Sequence, residues 1–307
     1  MNLLITAIGS PAKASLALSL MNHGFKVIGV DINPLAVGRF VCNEFYTVPK
    51  ASEPGFISEF VQICEKNKVD AILPSLAEEA LALKKNEKWF NAIKILSPNA
   101  ETIEICRDKL KTHHFLRDMD IVTPDIYTDK TPRKDMHFPI VIKPINGRGG
   151  AGIKIASCFI ELRKFYKPDC IMQRYASGTE YTVDILSDLE GNPISIIPRT
   201  RLQIESGISM SGTTVNDKKL IALCSKIATE LKLVGPSCIQ CIHSGNDDYK
   251  FTDINLRFGG GALLGIKADP TILPNLERII NGLKPIMPNG FQTGLTMLRY
   301  YSEVYTR

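Results

Sequence analysis

The sequence predicts mixed α/β and α+β architecture, with an N-terminal doubly wound parallel-sheet domain followed by a two-lobed unit built on antiparallel strands. Three observations predict it. Over residues 1–100, short apolar runs alternate with amphipathic stretches of helical length, and strands separated by helices require right-handed crossovers and so a parallel sheet. From Pro139 onward the pattern changes to strand, glycine-rich turn, strand, which is hairpin grammar. Between the two lies a charged helical stretch followed by Pro124, Pro132 and Pro139, the composition of a connection.

In the first unit, Asn2–Ala7, Lys26–Asp31 and Ala71–Leu73 read as strands, with helices over about Ala12–His23 and Glu53–Lys66. The first turn, Ala7-Ile8-Gly9-Ser10-Pro11-Ala12, and the acidic Asp31 closing the next strand resemble half of a dinucleotide fingerprint. Only Gly9 is present where the turn, the pyrophosphate approach and the helix packing each need a glycine, which argues against a nicotinamide oxidoreductase. A single helix is expected from Asn99, its N-cap, to Met119. In the second unit, Pro139–Pro144 is a strand ending on Lys143, and Ile153–Ala156 is its partner. A helix over Cys158–Tyr166 and strands at Cys170–Arg174, Glu180–Ser187 and Ile194–Pro198 follow. A helix over Asp217–Leu231 and strands at Ser237–His243 and Lys250–Asn255 complete the pattern.

Composition narrows the function classes. The 307 residues are 44% hydrophobic and 22% charged, which is ordinary globular usage. A net charge of +5 comes from dispersed Lys and Arg, without the basic blocks of a nucleic-acid groove. No apolar run approaches the ~20 residues of a membrane span, and the N-terminus lacks signal-peptide grammar, so a cytoplasmic protein is expected. Eight scattered cysteines fit reduced core thiols, Cys238-x-x-Cys241 included, since no second pair offers zinc spacing.

Two constellations carry chemistry. Gly147, Gly149, Gly150 and Gly152 leave backbone N–H groups uncovered and let a loop fold over an anion, and Lys143 just before them adds a fixed charge for the same oxygens. No G-K-[ST] follows, so the loop is not a Walker A motif. The second set is Gln240, Asp253 and Asn255. Asp253 and Asn255, two apart in a strand, share a face, and oxygen donors gathered on one surface suit a hard divalent ion completed by phosphate and water. Arg257 continues that spacing into Phe258-Gly259-Gly260-Gly261, placing a guanidinium where charge develops on a transferring phosphoryl group, with turn N–H groups available to a carboxylate.

Taken in order, these segments resemble the ATP-grasp superfamily, most nearly the short single-copy relatives of the carbamoyl-phosphate synthase large chain. The likeness is carried by Leu3–Gly9, Val27–Pro34, Arg107-Asp-Lys109, Val141–Pro144, the glycine loop, Gln173–Glu180, Tyr181–Asp184 and Asp253-Ile-Asn-Leu-Arg257. It implies a pre-ATP-grasp domain over 1–100, a small lobe with helical linker and glycine lid over 101–180, and a large lobe with the metal site over 181–307. Lys109 and Lys143 would hold the ATP phosphates, Met172, Gln173, Arg174 and Tyr175 would form the hinge against adenine, and Glu180 would take the ribose hydroxyls. Gln240, Asp253 and Asn255 would ligate Mg2+, one or two ions, with Mn2+ as an acceptable substitute. Arg257 would steady an acyl phosphate, with Arg199 and Arg201 near the γ-phosphate or substrate.

The implied activity is ATP-dependent joining of a small carboxylate to an amine or thiol, with no nucleic-acid or membrane partner and with a homodimer as an open arrangement. Asp253 stands where the usual metal carboxylate is glutamate, Gln173 where glutamate is frequent, and Leu256 where proline is common. The alternative is a nucleotide-binding regulatory protein that keeps the fold without the reaction. His113, His114 and Ser209 read as structural.

Overall fold

A computed structural model describes residues 1–147, 150–205, 207–245 and 249–306. The chain opens with β1 (Asn2–Ile5), α1 (Pro11–His23), β2 (Lys26–Asp31), β3 (Glu44–Thr47), α2 (Phe56–Asn67), β4 (Ala71–Leu73), α3 (Ala77–Lys85) and β5 (Lys94–Ile95). Its strands form one parallel sheet in the order β3-β2-β1-β4-β5. The order reverses between β1 and β4, and a doubly wound sheet opens its ligand crevice at such a switch point, beyond the carboxyl ends of the strands. Local chemistry starts the first helix: Ser10 caps the Lys13 N–H, Pro11 occupies the first turn, and Gly24 ends α1 in the left-handed region. Asp31 is tied into the first turn, accepting the Gly9 N–H at 2.7 Å. That carboxylate is therefore engaged in closing the turn.

The helix expected over 99–119 is two helices, α4 (Ala100–Arg107) and α5 (Lys109–Asp118). Asn99 caps the first as expected, but Asp108 takes extended angles and accepts the N–H groups of Leu110 and Lys111, so it caps the second. The Lys109 N–H is thereby released to the Ile145 carbonyl at 3.2 Å. This break aims the Lys109 side chain at the segment after Pro144.

There follow β6 (Ile126–Tyr127), β7 (Ile140–Pro144), β8 (Lys154–Ala156), α6 (Phe159–Phe165), β9 (Cys170–Arg174), β10 (Thr179–Ser187) and β11 (Pro193–Thr200). Next come β12 (Gln203–Glu205), β13 (Ile208–Thr213), α7 (Lys218–Glu230), β14 (Gly235–His243), β15 (Tyr249–Asn255), α8 (Ala262–Ala268), α9 (Ile272–Ile280) and β16 (Thr296–Leu298). A small antiparallel sheet runs β6-β9-β7-β8, a larger one β11-β10-β14-β15, and a short one β12-β13-β16. α4, α5 and α7 share one apolar core with β10, β14 and β15, through residues such as Ile103, Leu116, Val183, Ile227 and Ile254. A second core joins β1 and α1 to β11, α8 and α9, and so locks the N-terminal sheet against the large lobe. No helix among the described residues is long and apolar enough to cross a membrane.

Candidate active site

The site is built on β15. Ile254 and Leu256 enter the core while Asp253, Asn255 and Arg257 turn the other way. Strict alternation from the buried Phe251 would send Asp253 inward. It does not, because the β14–β15 ladder slips: Gln240 pairs with Asp253 but Cys241 pairs with Phe251, leaving Thr252 as the extra residue of a bulge. Bulges re-aim side chains, and this one brings Asp253 to the cleft beside its cross-strand neighbour Gln240.

Two lysines from different elements converge on that acid. Lys143, at the end of β7 and 4% exposed, places Nζ 3.6 Å from Asp253 Oδ2 and donates to the Thr252 carbonyl at 3.4 Å. Lys109 places Nζ 3.7 Å from Oδ1 and donates to the Gly147 carbonyl at 2.8 Å. Burial lowers the Lys109 pKa, Asp253 opposes the shift, and the Lys143 charge adds to it. A cleft of about 320 Å³ is lined by Lys109, Lys143, Glu180, Arg201, Gln240, Asp253, Asn255 and Arg257, with Gly147 and Gly150 at its rim. Its four cations outnumber its two carboxylates, a balance suited to a polyanion.

Arg257 donates through Nη2 to Asn255 Oδ1 at 3.3 Å and through Nη1 to the Phe258 carbonyl at 3.4 Å. Glu180 pairs with Arg201, whose Nε donates to Ser209 Oγ at 3.2 Å and whose Nη2 donates to the Gly207 carbonyl at 3.0 Å. Arg199, expected beside Arg201 at the phosphates, lies in the core instead. It is 1% exposed, its Nε donates to Asp184 at 2.7 Å, and its Nη1 donates to Ser209 at 3.2 Å. Ser209 thus orients both arginines.

Of the hinge residues, Met172 packs in the small-sheet core and Gln173 is buried opposite Val141. Arg174 faces Asp125 at 3.7 Å and Tyr175 is half-exposed. Gly152 has φ +79 over Pro144, and Gly149 falls outside the described residues.

A second chamber, about 350 Å³, shares Lys109, Gly147, Asp253, Asn255 and Arg257 with the first and extends to Ser75, Glu78, Arg107 and Asn146. Its far wall is the switch-point crevice of the N-terminal sheet. Arg107 lies in a segment that carried the family resemblance and Asn146 opens the glycine loop, though neither was given a role, whereas Ser75 and Glu78 were missed by motif reading. The signal that could have found Ser75 and Glu78 is their place just beyond the carboxyl end of a parallel strand.

The ATP-grasp domain family matches residues 106–261, more than half of the chain. The chain belongs to the ATP-grasp family. The PylC-like N-terminal domain family matches residues 3–97 of this ATP-grasp chain. A carbamoyl-phosphate synthase of Methanobrevibacter smithii is 22% identical over 193 residues, 59% of this chain and 51% of that protein. A 3-methyl-D-ornithine--L-lysine ligase of Methanosarcina acetivorans is 27% identical over 236 residues, 76% of this chain and 60% of that protein. The chain therefore spans between half and three fifths of these relatives. In fold it is similar to the biotin carboxylase–β-γ-ATP complex of Campylobacter jejuni, at a TM-score of 0.75 and 18% identity, over 96% of this chain and 74% of that one.

Proposed function

We propose that this ATP-grasp chain is an ATP-dependent carboxylate–amine ligase that works through an acyl phosphate. The observation that carries the reading is the convergence of Lys109, Lys143 and Arg257 on one cleft around Asp253, continuous with a second chamber large enough for a small acid. The 3-methyl-D-ornithine--L-lysine ligase relative supports amino-acid-sized substrates.

A carboxylate resists amines because oxide is a poor leaving group. In the proposed reaction a substrate carboxylate oxygen attacks the γ-phosphorus, the bond to the β–γ bridging oxygen breaks, and ADP departs. The amine nitrogen then attacks the acyl carbon, the C–O bond to phosphate breaks, and the nitrogen loses a proton. Lys109 and Lys143 bind the phosphates, Arg257 faces the equatorial oxygens where charge spreads in the transition state, and the glycine flap excludes water. The acid sits in the second chamber between Arg257 and the N-terminal sheet.

Gln240, Asp253 and Asn255 present hard oxygen donors and a single carboxylate, which fits Mg2+ carried in with a nucleotide, since that ion binds through one or two carboxylates plus phosphate oxygens. Among the described residues no three His, Cys, Asp or Glu side chains gather to hold a metal alone. Held by Gln240, Asp253 and Asn255, such an ion would neutralise charge along the phosphates.

The test is ADP release screened over amino acids and small carboxylates, with the product identified by mass. Lys143→Met and Arg257→Ala are each expected to lower turnover by at least about a hundredfold with the fold intact. Near-normal acid-stimulated ADP release by Arg257→Ala would remove the basis of this reading.

A further inference from the structure

Lys13 is a buried cation with no part in the reaction drawn above. It stands in the first turn of α1, which packs on α8, the helix that follows the Gly259–Gly261 turn. Its ammonium crosses the junction between the N-terminal sheet and the large lobe and donates to the Phe258 carbonyl at 3.2 Å. The same carbonyl accepts Arg257 Nη1 at 3.4 Å, while Nη2 of that guanidinium is held by Asn255 at 3.3 Å. One peptide oxygen is therefore shared by two cations, one from each side of the junction.

We propose that Lys13 is a positioning residue for Arg257, holding the Phe258 carbonyl from the N-terminal domain and repelling the guanidinium toward the cleft. The proposal rests on the ligase reading of Arg257. A lysine serving only to fasten two domains would be placed against a carboxylate, where its charge is compensated. Here its ammonium donates to a backbone carbonyl that an arginine also uses. The ionisable groups that face it are Arg257 after β15, Glu79 on α3 and Cys238 on β14, with the buried Arg199–Asp184 pair behind the glycine turn.

Burial, and after it the Arg257 charge, push the Lys13 pKa down to about 7, against the opposing pull of Cys238 and Glu79. In the nucleotide-free protein the amine thus loses its proton close to neutrality. A polyanionic nucleotide favours the charged form, so its binding takes up a proton there. The charged form is the one that repels Arg257, and turnover falls as pH rises through the Lys13 pKa.

The experiment uses the full chain with acid-dependent ADP release. Lys13→Met is expected to lower kcat roughly tenfold with the KM for ATP changed less than about twofold. Lys13→Arg, whose charge does not titrate, restores most of kcat and loses the decline above pH 7. In an Arg257→Lys background, Lys13→Met adds less than about twofold, because the group it positions has changed. A Met variant with wild-type kcat and pH profile overturns the proposal. So does a loss that Lys13→Arg fails to rescue and that appears in full in the Arg257→Lys background, which marks plain packing. Should the Met variant not fold, the pH profile of Lys13→Arg decides, since a wild-type decline there is also fatal. Failure of the underlying ligase reading shows itself differently, as wild-type protein that binds ATP yet releases no ADP with any acid, and it takes this proposal down with it.

Discussion

Two glycine-rich segments flank the site, one reaching the cleft at Gly147 and Gly150 and one following Arg257, alike in composition and unlike in physical reason. In the flap, Gly150 has φ +75 and a Cβ there would meet nothing within 4 Å. Glycine serves backbone conformation at that position. In the turn after β15, a Cβ on Gly261 would lie 2.6 Å from Arg199 Nη1 and 2.7 Å from its Cζ. Here glycine makes room for a buried guanidinium. Each segment also has a lysine pinned to a carbonyl at its start, Lys109 at Gly147 and Lys13 at Phe258. The space beside Gly150 is thus open, whereas the turn is wedged between the core and Arg257.

The turn should therefore be the less tolerant of the two. Gly261→Ala forces either Arg199 away from Asp184 or the turn away from Arg199. Breaking a buried pair costs about 3–5 kcal/mol, and shifting the turn displaces Arg257. We expect Gly261→Ala to lose stability of that order in urea unfolding and to lose nearly all ADP release. A variant within about 1 kcal/mol of wild type would show that the Arg199 contact does not govern this turn.

A middle-sized effect separates the two lysines by pH. With Lys13 at about 7 in the folded chain and its ordinary 10.5 when unfolded, the unfolded state binds more protons between those values. Stability of the nucleotide-free protein should then rise with pH across that window, while turnover falls. Lys13→Met should flatten most of the rise in Tm. Lys109, also lowered by burial, should add a smaller rise of the same sign. A Tm that instead declines steadily from pH 7 in both proteins would contradict the burial of these amines. For nucleotide affinity the sign is reversed, because under the proposed function Lys109 must be charged to meet phosphates, so alkaline pH should weaken ATP binding.

Much of this was legible in the chain. Period-two spacing placed Asp253, Asn255 and Arg257 on one face, and the alternation of apolar runs and amphipathic stretches announced the parallel sheet. The Thr252 bulge was not legible, since it is a mismatch counted between two strands. The break at Asp108 was hidden for a similar reason: the released Lys109 N–H finds Ile145, far along the chain. Arg199 looked like its neighbour Arg201 until pairing set it opposite Thr182, with Asp184 two residues along on the same strand. Lys13 sits in an ordinary helix pattern, and only the docking of α1 on α8 gives its amine a partner in the large lobe.

The smallest expected effect belongs to the flap. Since nothing crowds Gly150, a side chain there pays only for its left-handed backbone, about 1 kcal/mol for alanine and less for asparagine, which visits that region more readily. Global stability should stay within about 1 kcal/mol of wild type in each case. Under the proposed function the strain should appear in catalysis, where the glycine segment covers the phosphates. We expect kcat/KM for ATP to fall a few-fold at most, in the order glycine, asparagine, alanine, valine. Steric crowding at an open position would give a different order, set by side-chain volume, with asparagine well below alanine. Should that order be found, Gly150 is packed in the working enzyme and the contrast with Gly261 disappears.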